Sequence, residues 1–86
     1  MDYDIFYLPD ALASLKRMSP EVSRRIVNKV ERMRKRSNGG LSGDVKKLKA
    51  FVPNYRLRVG DWRVLFEIDG NSIVVHEVKH RSEAYD

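Results

Sequence analysis

Arg56, Arg58 and Arg63 flank a Gly60-Asp61 dipeptide, and Lys79, His80, Arg81 and Tyr85 follow in the C-terminal tail. A guanidinium is a planar fork that pairs with phosphate oxygens two at a time. Gly-Asp between two alternating runs fits a two-residue type II′ hairpin turn, and such a turn dictates register. Arg58 is then expected directly opposite Arg63, with Arg56 one step along the same face. Like charges directly opposed across strands cost about a few tenths of a kcal/mol. Either both groups are well solvated on an ordinary surface, or the face is kept positive because a phosphate fills it. Leu65, Val74 and Val78 are expected on that same face and would make it a partly apolar concavity, which favours a site. His76, also expected there, has an intrinsic pKa of about 6.5. It and His80 are read first as surface or strand-packing residues and second as alternative acid/base groups.

The elements that position these groups follow from periodicity. Residues 3–7 (Tyr-Asp-Ile-Phe-Tyr) read as a first strand. Pro9-Asp10 opens a helix with Leu8, Leu12, Leu15 and Met18 at helical spacing. Ser19-Pro20-Glu21 starts a second helix, whose apolar stripe is Val22, Ile26, Val30 and Met33. Its other faces carry Arg24, Arg25, Lys29, Arg32, Arg34, Lys35 and Arg36, and Gly39-Gly40 suits its stop. So short a connection predicts an antiparallel helical hairpin. Residues 41–53 read as irregular, with basic residues at Lys46, Lys47 and Lys49. Residues 55–59, 62–68 and 73–79 then alternate with period two, and Asp69-Gly70 fits a type I′ turn. The register places Tyr55, Leu57, Val59, Trp62, Val64, Phe66, Ile68, Ile73 and Val75 on the helix-packing face. Arg56, Arg58, Arg63, Leu65, Glu67, Val74, His76 and Val78 take the other. The expected fold is α+β: an N-terminal strand, a two-helix antiparallel hairpin and a three-stranded antiparallel meander, forming one sheet with helices on one face.

Composition bounds the partners. With 86 residues, one domain spanning 1–86 and one modest core are expected. The absence of cysteine removes disulfide frameworks and thiolate metal sites, and two histidines alone make a structural zinc site a poor fit. No metal or cofactor is expected. The acidic Met1-Asp2-Tyr3-Asp4 start does not resemble a signal peptide, and no apolar run reaches membrane-span length, so a cytoplasmic protein without membrane contact is the expectation. The formal charge of +5 favours an anionic partner, either nucleic acid or an acidic protein.

Lys47-Leu48-Lys49, the stretch from Tyr55 through Arg56, Arg58, Gly60, Asp61, Trp62 and Arg63 to Ile68, and the tail His80-Arg81-Ser82-Glu83-Ala84-Tyr85 resemble the RelE/ParE toxin superfamily of type II toxin–antitoxin systems. The resemblance runs along essentially the whole chain and is closest to the RelE-like, message-cutting members; other members poison DNA gyrase. It implies a ribosome-dependent, metal-free endoribonuclease that cleaves mRNA in the decoding site by 2′-hydroxyl attack on phosphate. Carried over position by position, it implies catalytic roles for Arg56, Arg58, Arg63, Arg81 and Tyr85. Arginine stays protonated, so none of the arginines is a credible base. Tyr85 is the preferred base or base-stacking group, with His76 or His80 beside Glu67 or Glu77 as the alternative. Lys46, Lys47, Lys49, Arg32 and Lys35 are the expected contacts to ribosomal RNA. The partners implied are a cognate RelB-like antitoxin, the ribosome and mRNA, with no small-molecule ligand. A gyrase inhibitor without catalysis and a non-catalytic basic binding module are the competing readings.

Overall fold

The computed structural model describes residues 2–35, 44–48 and 52–83. The elements run β1 (Asp4–Tyr7), α1 (Pro9–Arg17), α2 (Pro20–Arg32), β2 (Val45–Lys47), β3 (Tyr55–Val59), β4 (Trp62–Asp69) and β5 (Ser72–His80). They build a five-stranded sheet in the order β1-β5-β4-β3-β2. β1 lies parallel to β5, and the remaining neighbours are antiparallel. The α+β architecture agrees with the expectation. The expected Gly39-Gly40 stop, Lys49 and Tyr85 lie outside the described residues.

Local chemistry explains the helices. Pro9 opens α1, Asp10 sits in its first turn, and Lys16 and Arg17 lie in its last turn, each matched to the helix dipole. Ser19 caps α2 by accepting a hydrogen bond from the Val22 N–H. The α2 stripe holds: Ile26, Val30 and Met33 are buried and Val22 packs at their margin. The α1 stripe needs correction. Ala11 and Leu15 are its buried pair, whereas Leu8 and Leu12 are exposed. Each residue advances about 100° around a helix, so Leu12 is swung off the contact that small Ala11 makes.

The first turn agrees with the expectation, whereas the second turn and one extra strand differ. Val59 pairs with Trp62 around Gly60-Asp61, and Gly60 has φ +57°, as a type II′ turn requires. The second turn is shifted by one residue. Asp69 pairs with Ser72, so Gly70-Asn71 forms the loop with only Gly70 (φ +59°) left-handed, the type II′ pattern in place of I′. Glycine at the first central position spares Asp69 and Asn71 a positive φ. Within the span read as irregular, β2 pairs with β3 through Lys46 opposite Arg56. Three residues are too few to show alternation, and lysines suit an exposed edge.

The core joins Ala11, Leu15, Ile26, Val30 and Met33 of the helices to Leu57, Val59, Val64, Phe66, Ile73, Val75 and Val78 of the sheet. Val78 was expected on the opposite face. The cause is a bulge: Leu65 pairs with Glu77 but Phe66 pairs with Val75, leaving His76 as an extra residue. Beyond it, the alternation of β5 is reversed.

Phe66 is fully buried and stacks on Tyr55 at 5.4 Å. Replacing Phe66 with Ala is expected to cost about 3–5 kcal/mol, read as a lower urea midpoint. Burial, reinforced by Glu31 and opposed by Arg34, pushes the Tyr7 hydroxyl from 10.0 up to about 12. Its oxygen is buried without a hydrogen-bond partner among the described residues. A folded value raised above the unfolded one gives stability that is present below 10.0 and is lost as the pH climbs through about 12. Tyr7→Phe should therefore gain roughly 1 kcal/mol at neutral pH and flatten the alkaline limb of the stability profile.

Candidate nucleic-acid site

Cross-strand partners project to the same side of a sheet, so the register alone maps the face turned away from the helices. Arg58 pairs with Arg63, and Arg63 pairs in turn with Lys79. These cations form one row across β3, β4 and β5, at the end of the sheet that carries the Gly60-Asp61 turn. The next row is Lys46, Arg56, Leu65 and Glu77. Lys79 was not among the expected site residues because an unbroken alternation would send it towards the helices.

The three cations of the first row are held differently. Arg63 is buried, and its Nη1 donates to the carbonyls of Gly60 at 2.9 Å and Trp62 at 3.0 Å, bracing the turn. Arg58 is more than half exposed and donates from Nη2 to Asp44 at 3.1 Å. Lys79 Nζ lies 3.5 Å from Glu77. Arg81 begins the tail directly over the turn: its N–H donates to the Asp61 carbonyl at 2.7 Å, and its Nε lies 3.7 Å from the Asp61 carboxylate.

The two histidines separate. His76, the bulge residue, places Nε2 2.8 Å from the Glu67 carboxylate, with both side chains about three-quarters buried. His80 instead meets Trp62 edge-on at 5.2 Å, contacts the Ser82 hydroxyl, and lines a groove with Met18 and Val22 on the helix side. Only His76 therefore shares the open sheet with a carboxylate partner at hydrogen-bond distance.

The expected RNA-contacting residues divide in the same way. Lys46 is exposed on β2 opposite Arg56, and Lys47 is exposed beside it on the same edge strand. Arg32 is exposed in the last turn of α2. Lys35 pairs with Asp2 at 3.7 Å next to β1, across the sheet from β2. The α2 residues that do approach the cationic row are Lys29 and Arg25. Lys29 Nζ bonds both the Asp44 carboxylate and the Arg58 carbonyl, and a Cβ added at Gly60 would meet Arg25 Nη2 at 3.2 Å.

This face can neutralise an anion with cations and holds a histidine at hydrogen-bond distance from a carboxylate. Among the described residues no cluster of His, Asp or Glu has metal-binding geometry.

The family model described as ParE toxin of type II toxin–antitoxin system matches residues 5–85. Toxin RelE3 of Methanocaldococcus jannaschii is 29% identical over 83 residues, covering 95% of this chain and 94% of that protein. In the RelB–RelE antitoxin–toxin complex from Methanococcus jannaschii, the matching chain superimposes with a TM-score of 0.71 at 27% identity, covering 90% of this chain and 91% of that one. The archaeal RelE–RelB complex from Pyrococcus horikoshii shares the fold, with a TM-score of 0.76 over 98% of this chain and all of that chain, at 23% identity.

Lys29 first, then Arg58, holds the Asp44 carboxyl below its ordinary 3.8 by hydrogen bonding. A depressed folded value gives stability that is present above the unfolded value and is lost as the pH falls through the folded one. Asp44→Asn should therefore lower the urea midpoint modestly at neutral pH. The two midpoints should converge in strong acid, where the wild-type carboxyl is protonated as well.

Proposed function

The chain belongs to the ParE toxin family of type II toxin–antitoxin systems, and from that premise we propose that it is a RelE-like toxin that cuts ribosome-bound mRNA without a metal. The observation that carries this reading is the register Arg58–Arg63–Lys79, with Arg56 in the next row and the Glu67–His76 pair on the same open face. A histidine hydrogen-bonded to a carboxylate beside a row of cations suits proton transfer at a phosphate better than it suits binding alone.

The reaction asks for two things. As the ribose 2′-oxygen bonds to phosphorus, negative charge grows on the non-bridging oxygens, and preorganised cations stabilise it. Arg58 takes that role most directly, helped by Arg56, while Arg63 keeps the turn and its neighbours in place and adds its charge. As the bond to the 5′-oxygen breaks, that oxygen needs a proton or a cation. Lys79 supplies a proton and Arg81 supplies charge. The products are a cyclic phosphate and a 5′-hydroxyl.

The 2′-hydroxyl proton needs an acceptor. Glu67 accepts a hydrogen bond from the Nε2–H of His76, which leaves Nδ1 with the lone pair, the same logic by which a carboxylate orients a catalytic imidazole. Tyr85, preferred from the sequence, is kept as a second acceptor, or as a platform on which a base stacks. Without a strong base, much of the rate has to come from holding the message in line, which a ribosome does by gripping the codon. Lys46, Lys47, Lys49, Arg32 and Lys35 are assigned to ribosomal RNA. A cognate RelB-like antitoxin that covers the cationic face restrains the toxin.

A gyrase-inhibiting reading is kept because the matching model is that of the ParE family. Mapping message ends in a reconstituted translation reaction separates the two. Wild-type protein should cut at decoding-site codons, and Arg58→Ala should slow cutting by about 10²-fold or more, as should Arg63→Ala combined with Tyr85→Ala. Intact messages together with blocked supercoiling by gyrase would replace the nuclease with the inhibitor.

A further inference from the structure

We propose that Asp44 and Lys29 are positioning residues for Arg58, a role that rests on the nuclease reading and extends it to residues beyond the catalytic face. Arg58 is tied to this cluster at three points. Its N–H donates to the Asp44 carbonyl at 2.9 Å, its carbonyl accepts from Lys29 Nζ at 2.8 Å, and its Nη2 donates to the Asp44 carboxylate at 3.1 Å. Lys29 closes the triangle by also bonding that carboxylate. The cluster thus connects α2, the start of β2 and β3.

The charges make the arrangement informative. Alone, Asp44 would cancel Arg58 and weaken any hold on phosphate. With Lys29 added, the trio carries two positive charges against one negative, so the site keeps a net positive charge while the guanidinium is steered. Arg58 remains 55% exposed, and a guanidinium has five N–H donors, so the contact with Asp44 leaves others for a phosphate. A long side chain fixed before substrate arrives loses less freedom on binding, and its charge acts without reorganisation.

This assignment makes a prediction of unusual sign. Simple electrostatics says that removing a carboxylate beside an anion-binding arginine should help. Positioning says that Asp44→Asn should hurt. The experiment measures single-turnover cleavage of message on programmed ribosomes, at saturating and sub-saturating ribosome. Asp44→Asn should slow the saturated rate by roughly tenfold with the half-saturating ribosome concentration unchanged or lower, and Asp44→Glu should recover most of the rate. Lys29→Met should lower the rate and Lys29→Arg should restore it. In an Arg58→Ala background, Asp44→Asn should have no further effect. Urea midpoints of all variants show whether the fold is intact.

A saturated rate that is unchanged or raised by Asp44→Asn overturns the proposal. So does a loss of the same size in the Arg58→Ala background, because Asp44 would then act through something other than Arg58. Wild-type protein that cuts no message is a different result: it removes the nuclease reading and this inference with it.

Discussion

Side chains alternate along a strand, and one inserted residue reverses every position that follows it. In β5 that residue is His76. Before it, Ile73 and Val75 face the helices; after it, Val78 does, and Glu77 and Lys79 turn outward. An unbroken strand would expose Val78 and turn Lys79 to the helix side of the sheet. The burial of Val78 and the outward turn of Glu77 and Lys79 are therefore consequences of one local irregularity. The residue that creates it is also the one held by Glu67 in the middle of the open face.

Much of this molecule was readable from local chemistry. The Gly60-Asp61 turn specifies its own register, so the opposition of Arg58 and Arg63 followed from the dipeptide and its flanking alternation. The Ser19-Pro20 start of α2 and its apolar stripe were legible for the same reason: cap and period lie within one turn of each other. The bulge was harder to read: the consecutive polar residues His76-Glu77 break the alternation, but a pattern alone does not say whether the strand gains a residue there or turns a polar side chain inward. The error on Val78 and the missing Lys79 have this one cause. β2 is too short to have a period, and Asp44 lay in the stretch read as irregular, so the cluster around Arg58 had no sequence signal at all. Leu12 misled because it keeps helical spacing with Leu8 and Leu15, yet Ala11 and Leu15 are the residues of α1 that are buried.

The cations of the site are not equivalent. Arg63 is buried, and its guanidinium satisfies the Gly60 and Trp62 carbonyls of the turn. Arg58 is steered but reaches solvent, Lys79 leans on a neighbouring carboxylate, and Arg81 is largely exposed over the turn. This gradation runs from a buried brace to an exposed cation. It explains how a small protein holds a like-charged row: each member has its own polar contact, so none depends on a substrate for its place.

The same residue pairs that repel on the outer face are flanked by pairs that attract on the inner one. Leu57 opposite Val64, and Val64 opposite Val78, lie one step from Arg58, Arg63 and Lys79 and are almost wholly buried. Burying each such aliphatic side chain is worth about 1.5–3 kcal/mol, whereas a directly opposed like-charge pair costs a few tenths. The inner face wins by roughly an order of magnitude. The exposed charges of the outer face can therefore be rearranged at little cost to the fold, so long as β5 keeps its extra residue and buried Arg63 keeps bracing the turn. A scaffold whose stability lies on one side of its sheet and whose chemistry lies on the other can carry different activities without changing its architecture.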